Sequence, residues 1–260
     1  MSRNFELLQR LEQDEAEKRA AATVVPTVAE APACAEADVE ADTPVDGQPL
    51  RPLQGMTRDE VSKLIERLFP SAKDRRSVVF SGVERRTGCT WLAAHAAQIL
   101  AAQRRGSVCL IDANLRFPGL HHVFAVENHH GLTDAVLDSQ PMHTFTRQLA
   151  IRNLWLLSSG SADKSNSALL ATEAMQARIL EARNEFDFVI VDSPALNVYT
   201  DAVALGITCK GLALILKANS SRKETAQKIL QELEAAKVPF LGAVLNQRTF
   251  PVPEAIYNRL

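Results

Sequence analysis

Six short runs of apolar residues, each closed by a small or polar residue, follow one another from residue 77 onward: SVVFSG (77–82), SVCLIDA (107–113), NLWLLSS (153–159), FDFVIVDS (186–193), LALILK (212–217) and FLGAVLN (240–246). Runs of this length without polar alternation are strands buried on both faces, the pattern of a parallel sheet covered by helices on each side. Stretches of helical composition separate them, at 90–104, 166–184, 201–208 and 221–236. In the last of these Ala226, Ile229, Leu230, Leu233 and Ala236 share one face, and Ser221 with Glu224 reads as a capping box. A further helix is expected over 57–69, with Val61, Leu64, Ile65 and Leu68 on one face, Thr57 and Glu60 as its box and Pro70 as its stop. The reading is a three-layer α/β domain with a mainly parallel sheet. Ligands of such sheets bind beyond the C-terminal strand ends, which selects the segments after Ser81, Ile111, Ser158, Val191, Lys217 and Leu245.

The start of the chain obeys other rules. Its first 50 residues hold 11 acids against 4 bases, a balance of −7, which leaves +5 on the other 210 residues of a chain whose formal net charge is −2. Residues 1–19 read as a short amphipathic peptide with Phe5, Leu8 and Leu11 at helical spacing, and 20–55 as a disordered, flexible acidic linker interrupted by Pro26, Pro32, Pro44 and Pro49. The α/β domain then occupies 56–260. No stretch reaches the roughly 18 consecutive apolar residues that span a bilayer, and MSRNFELLQRLEQDE lacks the apolar centre of a signal peptide. A cytoplasmic protein is expected, with Cys34, Cys89, Cys109 and Cys209 reduced. With 5% aromatic residues and no basic run interleaved with them, the composition argues against a nucleic-acid partner.

The first apolar run leads into SGVERRTGCTWLAAHAA: strand, turn, Gly-x-Thr and an Ala-rich helix. That is the layout of a phosphate-binding loop. Backbone N–H groups and a helix N-terminus face the anion, glycines allow the turn, a lysine reaches the terminal phosphates, and a Ser or Thr hydroxyl meets magnesium. Gly88 and Thr90 are in place, Cys89 occupies the lysine position, five residues rather than four separate Gly82 from Gly88, and Arg86 stands where a flexible glycine is expected. Two more strand ends carry carboxylates. FDFVIVDSPA ends on Asp192, where a carboxylate can hold magnesium directly or through water, and VCLIDANLRFPGLHHVF places Asp112 at an equivalent end, followed by Asn114 and Arg116.

These three sites, with GLTDAVL at 131–137, LLSSGSADKSNSALL, the Thr-Asp-Ala of VDSPALNVYTDAVAL and the Asn246 that closes LGAVLN, resemble the motifs of the bacterial tyrosine kinases of capsular and exopolysaccharide biosynthesis, on the deviant Walker branch of P-loop proteins. The resemblance spans about residues 57–250, and MSRNFELLQRLEQ is similar to the N-terminal peptide of a subgroup associated with exopolysaccharide and protein-sorting loci. It implies a P-loop NTPase-like fold with ATP and Mg2+ as cofactors. Arg85, Arg86, Gly88, Cys89, Thr90, Arg116 and Asn246 would surround the nucleotide, with Asn246 at the adenine. Thr90, Asp112 and Asp192 would organise the metal; Asp112 and Asp192 would be the catalytic carboxylates, Asp112 activating the acceptor hydroxyl. A membrane polysaccharide co-polymerase or chain-length regulator is the implied partner, recruiting the chain to the inner membrane. A homo-oligomer formed through the helix before the core is also implied, although Glu60, Lys63 and Glu66 depart from the family's Glu-Arg-Arg pattern.

Departures at the catalytic positions predict weakened activity. Loss of the lysine removes a cation from the β- and γ-phosphates, and phosphoryl transfer is mostly positioning and charge stabilisation, so the barrier rises by several kcal/mol unless Arg85, Arg86 or Arg116 supplies the charge. Asn114 replaces the second aspartate of the family's Asp-x-Asp-x-Arg, and an amide neither accepts a proton readily nor carries charge. Active members usually carry a C-terminal tyrosine cluster; this chain has two tyrosines, Tyr199 and Tyr257. The expectation is therefore an ATP-binding, tyrosine-kinase-like protein of reduced activity. The competing expectation is a pseudokinase scaffold, and the third a positioning ATPase, which would need its own lysine and a membrane- or DNA-binding element. Cys89 reads as a small residue filling the lysine's space rather than as a reactive thiol, and His121, His122, His129 and His130 as polar packing rather than a metal site. Trp91 and Trp155 are expected in or beside the core.

Overall fold

The computed structural model describes residues 50, 53, 55–70, 75–103, 106–161 and 164–247. The N-terminal peptide, nearly all of the acidic linker, and Tyr257 lie outside the described residues. Helix α1 (Gly55–Leu68) precedes strand β1 (Ser77–Gly82), helix α2 (Cys89–Gln103) and strand β2 (Val108–Asp112). Two short helices, α3 (Leu120–Val123) and α4 (Leu132–Leu137), lead to strands β3 (Arg147–Gln148) and β4 (Leu154–Leu157). Helix α5 (Glu173–Glu185), strand β5 (Phe188–Ser193), helix α6 (Asp201–Cys209), strand β6 (Leu212–Lys217), helix α7 (Lys223–Ala235) and strand β7 (Phe240–Asn246) complete the order.

The seven strands form one sheet in the order β3-β4-β2-β5-β1-β6-β7, parallel throughout except for β3 against β4. The apolar runs read from the sequence are its six parallel strands. Alternate residues of each strand feed two cores. Val78, Phe80, Leu110 and Ile190 face α1 and α2, while Val79, Ile111, Val189, Val191 and Leu214 face α5, α6 and α7. Neither face of the central strands is left to water, which explains why polar alternation is missing from them, whereas the edge strand β7 is partly exposed, with Phe240 and Leu245 open to solvent. Helix α1 closes one side by burying Val61, Ile65 and Leu68, and the following Phe69 meets Phe188 edge to face with ring centroids 5.6 Å apart. Among the described residues no helix is long and apolar enough to cross a membrane.

Four local expectations are corrected. Helix α1 begins at Gly55, so Thr57 lies within the first turn instead of capping it. The box at Ser221 does not form: its hydroxyl accepts from the Lys217 N–H (2.9 Å) and donates to Glu84 Oε1 (2.8 Å), and Arg222 takes the cap position without a side-chain bond. The helix expected from residue 166 starts at Glu173, because residues 164–171 form a 3-10 turn and Thr172 caps α5 by accepting from the Met175 N–H at 3.2 Å. Trp155 packs beside the core against Phe186, whereas Trp91 is exposed and lies edge-on to His95.

Because Phe69 is fully buried between α1 and β5, Phe69→Ala is expected to cost about 3–5 kcal/mol of unfolding free energy. Denaturant or thermal unfolding checks this, with a drop in melting temperature on the order of 10 °C.

Candidate functional site

The parallel sheet places the C-terminal ends of β1, β2, β5, β6 and β7 along one edge, and the residues singled out by the sequence gather there. In the register of the sheet Asp112 lies beside Asp192, so two carboxylates end adjacent strands. The β1–α2 loop folds over them. Gly82 opens it, and a side chain there would collide with Thr87 Oγ1 and the Glu84 carbonyl. Arg86 (φ 63°) and Gly88 (φ 76°) both adopt left-handed backbone on either side of Thr87. The conformation usually supplied by glycine is thus present at Arg86, at a cost of about 1–2 kcal/mol for a side-chain-bearing residue. Among the described residues, the amide groups of Thr87, Gly88, Cys89 and Thr90 meet no acceptor. With the start of the 15-residue α2, they make the concave, donor-rich end expected of an anion site.

Thr90 donates its hydroxyl to Asp192 Oδ2 at 2.6 Å, joining the loop to β5. The other oxygen, Asp192 Oδ1, is buried with no hydrogen-bond partner in a fully buried residue. Asp112 is equally buried and accepts three backbone bonds, its Oδ1 from the Asn114 N–H (3.2 Å) and its Oδ2 from those of Gly119 and Leu120 (3.0 Å each). Burial pushes both carboxyls above the ordinary carboxylate range, and the neighbouring Asp112 charge pushes Asp192 further. An orphaned buried carboxylate oxygen beside a Thr hydroxyl fits a divalent cation held by oxygen ligands. Among the described residues no group of three or more His, Cys, Asp or Glu could hold a metal ion. A carboxylate oxygen and a hydroxyl suit magnesium, which takes one or two carboxylates and completes its shell with water and phosphate. Gly119 lies against the Thr90 methyl, within 3.1 Å of where a Cβ would stand, so the β2 loop closes onto the same hydroxyl-bearing residue.

The Cys89 side chain is half-buried, against Asp192 and the backbone of Gly82 and Ser193. Burial first, and the Asp192 charge second, push its thiol well above its usual value. A protonated thiol is a poor nucleophile.

The arginines are placed differently from expectation in one respect: aromatic rings engage two of them. Arg85 stacks over Phe117, its guanidinium carbon 3.8 Å from the ring centroid. Arg116 stacks over Tyr199 at 4.0 Å, and its Nε donates to Asp201 Oδ2 at 3.1 Å. These pairs bind the β2 loop to the β1–α2 loop on one side and to the start of α6 on the other. Asn114 Oδ1 accepts from the Phe117 N–H at 3.3 Å, so the residue in the second aspartate's place secures its own turn. Asn246, at the end of β7, donates from Nδ2 to the Thr87 carbonyl at 2.8 Å. Sequence reasoning missed this tether and the Ser221–Glu84 bond, because neither partner's spacing indicates which loop it will meet. The Arg116–Asp201 pair had a signal, since both residues belong to motifs that were noticed, although only folding joins them.

Strand order, loop and paired carboxylates define a P-loop NTPase-like protein. No model of a protein family matches the chain. It is 32% identical over 174 residues to the tyrosine-protein kinase YwqD of Bacillus subtilis (strain 168), covering 67% of this chain and 73% of that one. The kinase domain of the Escherichia coli tyrosine kinase ETK matches in structure with a TM-score of 0.63 at 24% identity, over 69% of this chain and 71% of that chain. The septum site-determining protein MinD of Pyrococcus horikoshii OT3, solved with Mg-ADP, shares the fold at a TM-score of 0.57 and 18% identity, over 71% and 76% of the two chains. The chain belongs to the bacterial tyrosine-protein kinase family.

The raised Asp192 carboxyl makes a pH prediction. Its folded-state proton affinity exceeds the unfolded value, so its contribution to stability is present below the ordinary carboxylate pKa near 4 and is lost as pH rises through the folded value. The nucleotide-free protein is expected to melt lower at pH 8 than at pH 5. Asp192→Asn should remove much of that difference, raising the pH 8 midpoint by about 5 °C, while abolishing stabilisation by Mg2+ with nucleotide. Thermal melts of both proteins across that range check the sign; a variant that melts lower than wild type at pH 8 contradicts it.

Proposed function

We propose that the chain binds ATP with Mg2+ at this strand-end site and acts as a protein-tyrosine kinase of exopolysaccharide biosynthesis whose phosphoryl transfer is slowed by Cys89. The carrying observation is the unpartnered Asp192 Oδ1 beside the Thr90 hydroxyl, beneath a loop whose amides meet no acceptor. In this reading the Gly88 to Thr90 amides hold the phosphates, Thr90 and Asp192 hold the metal with Asp112 behind them, and Asn246 lies towards the base. Magnesium, when bound, neutralises charge on the β- and γ-phosphate oxygens. Asp112 is the group for the acceptor hydroxyl's proton, and its raised proton affinity suits a base working near neutrality. With Cys89 in the lysine's place, stabilisation of the transferring phosphoryl group falls to the backbone amides and the metal.

The partner proposed is the cytosolic end of a membrane polysaccharide co-polymerase or chain-length regulator, and homo-oligomerisation through α1 is proposed with it; both rest on the motif resemblance and on membership of the tyrosine-kinase family. One observation favours a second reading, a nucleotide-responsive scaffold without transfer: Asn114 caps its own turn through the Phe117 N–H.

Purified protein incubated for long periods with Mg·ATP and probed for phosphotyrosine separates the two. The kinase reading expects faint phosphorylation in wild type and at least about tenfold more in Cys89→Lys, the recovery of roughly 1.4 kcal/mol or more of transition-state stabilisation. Nucleotide binding with no phosphotyrosine in either protein supports the scaffold and contradicts the kinase.

A further inference from the structure

We infer that Asn246 is a positioning residue that fixes the phosphate-binding loop, so that one side-chain amide joins the base end of the nucleotide site to its phosphate end. This rests on the nucleotide site proposed above and deepens it.

The backbone of Asn246 is rigidly placed. It pairs with Lys217 in the parallel register of β6 and β7, and its carbonyl accepts from the Ala218 N–H at 2.9 Å. From that anchored position Nδ2 donates to the Thr87 carbonyl at 2.8 Å. A carbonyl only accepts, so the chemistry of the contact identifies the amide nitrogen as the atom facing the loop. The peptide joining Thr87 to Gly88 is trans, which sets the Gly88 N–H antiparallel to the Thr87 carbonyl. Holding the carbonyl therefore fixes where the Gly88 amide hydrogen points.

That peptide needs holding. It lies between left-handed Arg86 and left-handed Gly88, and its own side chain, Thr87, is buried. Gly88 is as close to Asn246 as a residue can come, since a Cβ at Gly88 would collide with Asn246 Nδ2. The absence of a side chain at position 88 thus has a reason beyond backbone freedom: it admits the amide that orients the loop. The bond to the loop uses Nδ2 and not Oδ1, so the amide that holds the loop keeps an oxygen with which to read a base. Base recognition and phosphate grip then share one rigid group instead of acting independently.

The test compares wild type, Asn246→Ala and Asn246→Asp in calorimetric titrations with Mg·ATP and with magnesium and inorganic tripolyphosphate, which has no base. A tether predicts that both variants lose about tenfold in affinity for tripolyphosphate and at least as much for Mg·ATP, whose base also meets the amide; aspartate, though isosteric, cannot donate to the carbonyl. Weaker ATP binding with unchanged tripolyphosphate binding means Asn246 serves the base alone and overturns the inference while leaving the nucleotide reading intact. If the wild type binds no Mg·ATP, the proposed function falls by itself. Where either ligand fails to bind the wild type, hydrogen exchange at the Thr87 to Thr90 amides of the ligand-free protein decides. Accelerated exchange in Asn246→Ala, with an unchanged melting temperature, supports the tether, and unchanged exchange overturns it.

Discussion

The hydrogen bond from the Thr90 hydroxyl to Asp192, 2.6 Å long in the interior of the sheet's C-terminal edge, ties the β1–α2 loop to the strand that carries the candidate metal-site carboxylate. It fixes the first turn of α2 against β5 and leaves one carboxylate oxygen without a partner. A buried, half-satisfied carboxylate is destabilising in isolation, and the second carboxylate on the adjacent strand end makes it more so. A domain with two complete cores can tolerate that cost at one point, and the position where it does so is where a divalent cation would relieve it.

Around this centre Cys89 stands at the position where a phosphate-binding loop carries a lysine. Its surroundings hold the thiol protonated, so it contributes no charge. Two of the nearby cations are stacked on Phe117 and Tyr199, and one of these is also paired with Asp201. They bind neighbouring loops to one another, so the shape of the site is kept by cation–π contacts, the Asn246 tether and the Ser221–Glu84 bond. A loop shaped by its surroundings in this way can hold strained backbone at Arg86 that an isolated turn would relax.

Much of this was legible in the sequence because buried parallel strands leave an unbroken apolar signature: all six parallel strands coincide with the apolar runs. The pair Asp112 and Asp192 could be placed at strand ends for the same reason. The strand β3, two exposed residues long, and the short helices α3 and α4 carry too little apolar pattern to be read. The cap at Ser221 failed for another reason. A serine or threonine hydroxyl caps only if no tertiary partner claims it, and Glu84 claims Ser221 from 137 residues away. Arg86 shows the converse: the loop retains the conformation of a missing glycine, which sequence identity alone argues against.

The account turns on whether the lysine-free loop still presents its amide hydrogens to a polyphosphate through the Thr90–Asp192 centre. Calorimetric titration of the full chain with ADP, with and without Mg2+ at pH 7.5, reads this without requiring transfer. Saturable micromolar binding that depends on Mg2+ is the predicted result; a flat trace at millimolar nucleotide, or binding indifferent to the metal, contradicts it.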